Sequence, residues 1–161
     1  MDFTIVSAQK ADAPVLADLI AKAYQTVADQ FKLTRDNCPK HPSNCTQEWI
    51  TQDLQHNKNY YMAQTPKGPV GCMALEQPDS ATVWLERLSV LPPFRHQGLG
   101  RALVDYGIQK ARLTGASTLG VGIIHEQTIL RQWYEAQGFT LTHTQTYDHL
   151  PFTVGFMELH I

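Results

Sequence analysis

Apolar and polar positions change period several times along the chain, and each change marks an element. Residues 3–8, FTIVSA, are β-branched and aromatic and predict a strand, whereas from Asp12 onward Val15, Leu16, Leu19, Ile20, Ala23 and Val27 recur at helical spacing. Asp12 suits the cap of that helix, and Pro14 fits its first turn, where an amide proton would have no intrahelical partner. After Phe31 the stretch LTRDNCPKHPSN, with two prolines and several turn formers, cannot continue a helix and reads as a loop. A second helix is predicted from Asn44 or Thr46 to about His56, with Trp49, Ile50 and Leu54 on its apolar side.

Three strands follow, at 60–64, 69–76 and 81–90, joined by Pro66-Lys67-Gly68 and Gln77-Pro78-Asp79-Ser80, which predicts an antiparallel meander. Pro92 and Pro93 end the pairing because proline offers no amide donor. A helix is then predicted from about Gly98 to Leu113, with Leu99, Ala102, Leu103 and Tyr106 on one face. STLGVGII at 117–124 reads as a buried strand. A short helix over 127–137 carries Ile129, Leu130 and Trp133 and ends at Gly138-Phe139, where glycine suits the left-handed position beyond a helix. Strands at 139–147 and 151–159 complete the chain. The strand, helix and strand of 81–124 predict a right-handed crossover between two parallel strands, and such a pair in an otherwise antiparallel sheet is a natural ligand seam.

The 161 residues, 43% of them hydrophobic, suit one compact domain over 1–161, since a chain of this size buries roughly 70% of its unfolded surface. Thirteen lysines and arginines against fifteen aspartates and glutamates give a formal charge of -2, which disfavours a nucleic-acid-coating protein. No apolar run approaches the ~18 to 20 residues of a membrane helix and the N-terminus has no leader pattern, so a cytoplasmic protein without a membrane partner is expected. Cys38, Cys45 and Cys72 are too few for a disulfide scaffold.

The most informative stretch is Pro92-Pro93-Phe94-Arg95-His96-Gln97-Gly98-Leu99-Gly100-Arg101. Two glycines and two arginines stand at a helix start directly after a strand. Free amides, the helix dipole and close backbone approach at glycine suit phosphate there, and the arginines can add charge-assisted contacts. The same pattern also fits a tight loop and an ordinary helix start. A P-loop, a third glycine at 103 and a Gly-x-Ser-x-Gly elbow are all absent.

Together with the run around it, LERLSVLPPFRHQGLGRALV at 85–104, this stretch resembles the pyrophosphate-loop motif of the GNAT acetyltransferase superfamily, Arg/Gln-x-x-Gly-x-Gly/Ala, here Arg95-x-x-Gly98-x-Gly100. QTILRQWYEAQGF at 127–139 resembles the family's later motif, a helix carrying a tyrosine shortly before Gly-Phe, here Tyr134 and Gly138-Phe139. Gln127 stands where many members have asparagine. The resemblance implies a single α+β GNAT-type domain, a mixed and mainly antiparallel sheet of about seven strands flanked by about four helices. It further implies acetyl-CoA as cosubstrate, an amine acceptor, no metal, and a homodimer as the assembly to look for.

On this resemblance the pyrophosphate rests on His96, Gln97, Gly98, Leu99, Gly100 and Arg101 beside Arg95. Leu88, Ser89 and Val90 offer backbone groups to the pantetheine arm, one amide polarising the thioester carbonyl, and Gln127 and Tyr134 complete the cosubstrate site. Tyr134 matches the tyrosine that protonates or hydrogen-bonds the departing sulfur, although a packed core aromatic fits its position too. An acceptor amine resembling lysine is neutral in roughly 1 molecule in 2,500 at pH 7, so a base helps. Strand alternation places Trp84, Glu86, Leu88 and Val90 on one face, which makes Glu86 the candidate base, acting through water; an exposed or ion-paired glutamate fits equally. His125 is a second candidate base. Cys38-x-x-His41-x-x-x-Cys45 holds three potential zinc ligands in a loop that lines the acceptor pocket in this family, but a structural zinc site normally has four. Cys72 reads as a small buried apolar residue. Transfer of acetyl to an amine is the expected activity; a non-catalytic acyl-CoA-binding or sensing module, and transfer of a longer acyl chain, are the alternatives.

Overall fold

The computed structural model describes residues 1–161. Seven strands, β1 (Thr4–Ser7), β2 (Asn59–Thr65), β3 (Gly68–Glu76), β4 (Thr82–Val90), β5 (Thr118–Ile124), β6 (Thr140–Thr146) and β7 (Thr153–His160), form one sheet in the order β1-β2-β3-β4-β5-β7-β6. Every neighbouring pair is antiparallel except β4 and β5. Four helices flank it: α1 (Ala13–Phe31), α2 (Gln47–Gln55), α3 (Leu99–Leu113) and α4 (Thr128–Glu135). Pro14 lies in the first turn of α1, and the Thr46 hydroxyl accepts the Trp49 amide to cap α2.

The helices take opposite faces. Helix α1 packs over β3 and β4, and Leu16, Ile20, Ile50, Tyr60 and Cys72 are buried on that side. Helix α3 packs over β3, β4 and β5, where Leu99, Leu103 and Val104 meet Val83, Leu85, Leu119 and Val121. The buried face of α3 includes Val104, Gly107 and Ala111, so it is rotated from the predicted one through Ala102 and Tyr106, both only half-buried. Ile129, expected on the apolar side of α4, is 83% exposed.

Two features open the sheet at its middle. The parallel pair β4/β5 is registered only from Thr82 opposite Thr118 to Trp84 opposite Gly120, and the strands then diverge. In addition, β4 gains one residue on β3: Ala74 faces Glu86 while Cys72 faces Ser89, and Arg87 takes φ 52° inside this bulge. The extra residue reverses side-chain parity. Trp84 and Glu86 project toward the α1 side, whereas Leu88 and Val90 pack against the α3 core, which corrects the expectation that all four share one face.

Candidate active site

A cavity of about 760 Å³ occupies the fork. Leu85, Glu86, Arg87 and Leu88 line it from β4 and Val121 to Ile124 from β5; Tyr24 and Val27 reach it from α1, and Gln127, Leu130 and Tyr134 from the start of α4 and its body. The loop before α2 adds Lys40, His41 and Pro42, so the sequence's Cys-His-Cys segment does reach the pocket. Its three ligand-type residues point apart: Cys38 packs with Ala28, Leu33 and Ile124, Cys45 joins the α1–α2 core, and His41 meets Tyr24 edge-on at 5.6 Å. No three His, Cys, Asp or Glu side chains converge as a metal would require. Cys72 is fully buried, and burial pushes its thiol up to about 12, so it packs as an inert apolar residue.

At one end of the fork the chain turns through His96 (φ 62°) and Gly98 (φ 82°) into α3. The first amide to find an acceptor after Arg95 is that of Ala102, bonded to the Gly98 carbonyl. Six successive backbone N–H groups, His96 through Arg101, therefore donate to nothing in the protein. With the positive end of a 15-residue helix behind them they make a row of unpaired donors, an arrangement that suits an anion. Arg95 does not join it. Its Nε donates to the Val90 carbonyl (3.0 Å), and its two terminal nitrogens to the Thr26 hydroxyl (3.1 Å) and the Ala23 carbonyl (2.8 Å), so it ties the loop to α1. Gln97 Nε2 donates to the Pro93 carbonyl, Leu99 is a core residue, and the Arg101 side chain is exposed. Ser89 is buried with its hydroxyl on the Arg87 carbonyl, and the Val90 carbonyl is already taken by Arg95.

Tyr134 lines the fork from α4. Trp133 and Phe139 pack edge-on against its ring, at 5.0 and 5.2 Å. Burial, with a smaller contribution from Tyr24, pushes its phenol well above the ordinary range, and the hydroxyl, which makes no hydrogen bond within the protein, opens on the cavity. Tyr24, a residue of α1 outside the apolar set of that helix named from the sequence, is raised likewise, mainly by burial and then by Cys72.

Glu86 faces the cavity, with Oε2 held by Lys58 Nζ at 2.5 Å. Lys58 also approaches Glu76 (3.7 Å) and Asp53 (3.9 Å). Arg87 donates to Asp53 Oδ2 at 2.5 Å and to the Tyr60 hydroxyl, while Tyr60 donates to Asp53 at 2.6 Å. Glu86 is thus both cavity-facing and ion-paired, its partner being Lys58, whereas Arg87 belongs to Asp53. His125 does not line the cavity; its ring nitrogens lie 3.2 Å from the Arg131 guanidinium.

His41 is 5% exposed, and desolvation holds its imidazole down to about 4. The Ser43 amide donates to Nδ1, so the neutral ring carries its proton on Nε2. The unfolded chain, with an ordinary histidine near 6.5, takes up the extra proton first, and native stability falls as the pH drops from about 6.5 through about 4. The loss reaches about 2 kcal/mol at pH 5. Urea titrations of His41→Asn at pH 7 and pH 5 should show the acid loss reduced by that amount; an unaltered loss contradicts the assignment.

Past the open end of β4, the six free amides of His96 to Arg101 suit a phosphate-bearing ligand, and with the family match that follows, the protein is an acyl-CoA-dependent transferase. The model of the acetyltransferase (GNAT) family matches residues 20–139, and the chain belongs to that family. It is 24% identical over 149 residues to an uncharacterized N-acetyltransferase in the pepI 3′ region of Lactobacillus delbrueckii subsp. lactis, covering 84% of this chain and 83% of that protein. Among solved structures, it resembles the PaiA N-acetyltransferase of Thermoplasma acidophilum in complex with coenzyme A, with TM-score 0.82, 14% identity and 100% of both chains covered. A GNAT family acetyltransferase of Elizabethkingia anophelis with acetyl-CoA bound is similar at TM-score 0.72 and 20% identity, covering 99% of this chain and 98% of that one. No helix is long and apolar enough to cross a membrane.

Proposed function

We propose that the protein transfers the acetyl group of acetyl-CoA to a primary amine of a small molecule or peptide, the amine attacking the thioester directly. The observation that carries this reading is the run of six unpaired amides, His96 to Arg101, at the end of a fork lined by a partnerless tyrosine hydroxyl. The amides suit the cosubstrate's pyrophosphate, the open edge of β4 around Leu88 suits its pantetheine arm, and Gln127 flanks the arm from the start of α4. The folds solved with acetyl-CoA or coenzyme A lend support.

In the transfer a nitrogen–carbon bond forms and the carbon–sulfur bond breaks; the bound ammonium gives up one proton to become the nucleophile and a second as the amide forms, the sulfur gains one by way of the Tyr134 hydroxyl, and the other passes to solvent. Glu86 Oε1, which Lys58 leaves free, takes the amine's proton through water. Tyr134, held as a neutral phenol, donates its hydrogen bond to the sulfur as charge builds there. The domain over 1–161 works in this account as one unit, and the exposed edge strand β6 is where two copies would pair.

Release of free thiol from acetyl-CoA, followed across a panel of primary amines, tests the proposal. Amine-dependent release with formation of the acetamide is expected. Acetyl-CoA binding with no thiol released by any amine would replace catalysis by the alternative, an acyl-CoA-binding module.

A further inference from the structure

We infer that the acceptor is a monoamine carrying a flat aromatic group on a one- or two-carbon arm, and that Trp84 and Phe156 form the shelf that holds the ring. This inference rests on the amine-acetylation reading above and names its substrate class. The shelf exists because β5 carries glycine at two successive positions of one face. A Cβ at Gly120 would lie only 2.7 Å from Trp84 Cζ3, so the indole covers that backbone, and Phe156 lies over Gly122 with its nearest carbon 3.7 Å from where a Cβ would be. The two rings meet edge-on at 6.0 Å, and His143 stacks on the far side of Phe156 at 4.7 Å. Trp84 and Phe156 are only partly buried and line the cavity, which Phe152 and Val154 extend with further apolar surface. Flat apolar area left open inside a pocket is stabilised by covering it with another flat apolar group.

Charge narrows the class. Beside the shelf, Asp53, Glu76 and Glu86 face Lys58 and Arg87 in one connected cluster: three carboxylates against two cations leave one net negative charge, enough for one ammonium. No carboxylate stands among the shelf residues to receive a second, and Lys40, the one lysine of the cavity wall, forms no ion pair and would repel one. His41 adds no charge at neutral pH. Polyamines and aminoglycosides are therefore selected against, while a single amine is accepted. Trp84 and Glu86 are two residues apart on one face of β4, about 7 Å along the strand, which a ring with a short amine-bearing arm spans.

The test compares 2-phenylethylamine, n-butylamine and spermidine as acceptors under saturating acetyl-CoA. The expected kcat/KM for 2-phenylethylamine exceeds the other two by at least about tenfold. Trp84→Ala should raise its KM about tenfold with kcat and n-butylamine turnover little changed, and Trp84→Phe should restore most of the loss. Lys40→Glu, an exposed substitution that does not threaten the fold, should raise kcat/KM for spermidine relative to 2-phenylethylamine. Preferred turnover of spermidine or n-butylamine, or an equal loss for all amines in a folded Trp84→Ala, overturns the inference and leaves the acetyltransferase reading standing. If no amine is turned over, that reading fails instead, and calorimetry of 2-phenylethylamine on the CoA-saturated protein still decides for or against the shelf.

Discussion

Replacing Tyr134 by phenylalanine should lower kcat by about 100-fold or more, in the range of a lost general acid, while the Kd for acetyl-CoA stays within a few fold. Phenylalanine keeps the ring that packs against Trp133 and Phe139, so the change removes an oxygen and little else. That oxygen has no partner within the protein, and its proton is held tightly because the phenolate would be buried, first, and would face Tyr24, second. A neutral donor in a dry site is worth most where charge appears during the reaction, which on this account is the departing sulfur. Single-turnover kinetics separates the two quantities. Turnover equal to wild type would remove the acid role and return Tyr134 to the core residue that its position also suits.

Gly100→Asp should produce the second large effect, a rise of about 100-fold in the Kd for acetyl-CoA with no loss of thermal stability. A Cβ at Gly100 meets Trp133 Cζ2 at 3.4 Å and Cη2 at 3.6 Å, ordinary contacts that the helix tolerates. A carboxylate in the first turn of α3 even favours the helix dipole, so the unliganded protein should melt no earlier. Against a bound pyrophosphate the same carboxylate is a like charge at close range, worth about 3 kcal/mol at 5 Å and an effective dielectric of 20. Gly100→Ala is the control and should bind nearly normally. Equal affinity for Gly100→Asp and wild type would contradict the assignment of the pyrophosphate to this turn.

Much of this was legible in the sequence because it is local. Period changes located all seven strands and four helices, and the prolines and glycines located their ends. The strand, helix and strand of 81–124 announced the parallel pair, and the glycines at 98 and 100 announced the turn whose amides stay unpaired. What stayed hidden depends on contacts between distant segments. Arg95 reads as a phosphate ligand beside two glycines, yet its donors are taken by Ala23, Thr26 and Val90, and only the approach of α1 could reveal that. The bulge at Arg87 has no glycine to announce it. One extra residue there carries Leu88 and Val90 to the other face from Trp84 and Glu86, which strict alternation cannot foresee. Lys58, Asp53 and Tyr60, scattered among loop, helix and strand, give no sign in sequence that they close on Glu86 and Arg87. Tyr24 carries the same apolar periodicity whether it lines a cavity or fills a core.

Calorimetric titration of the folded protein with acetyl-CoA, with free CoA as comparison, decides whether the fork and its six free amides hold the cosubstrate. One molecule bound per chain at micromolar affinity is expected, with CoA binding comparably because the amides grip the part both share. A folded protein that binds neither would contradict this placement.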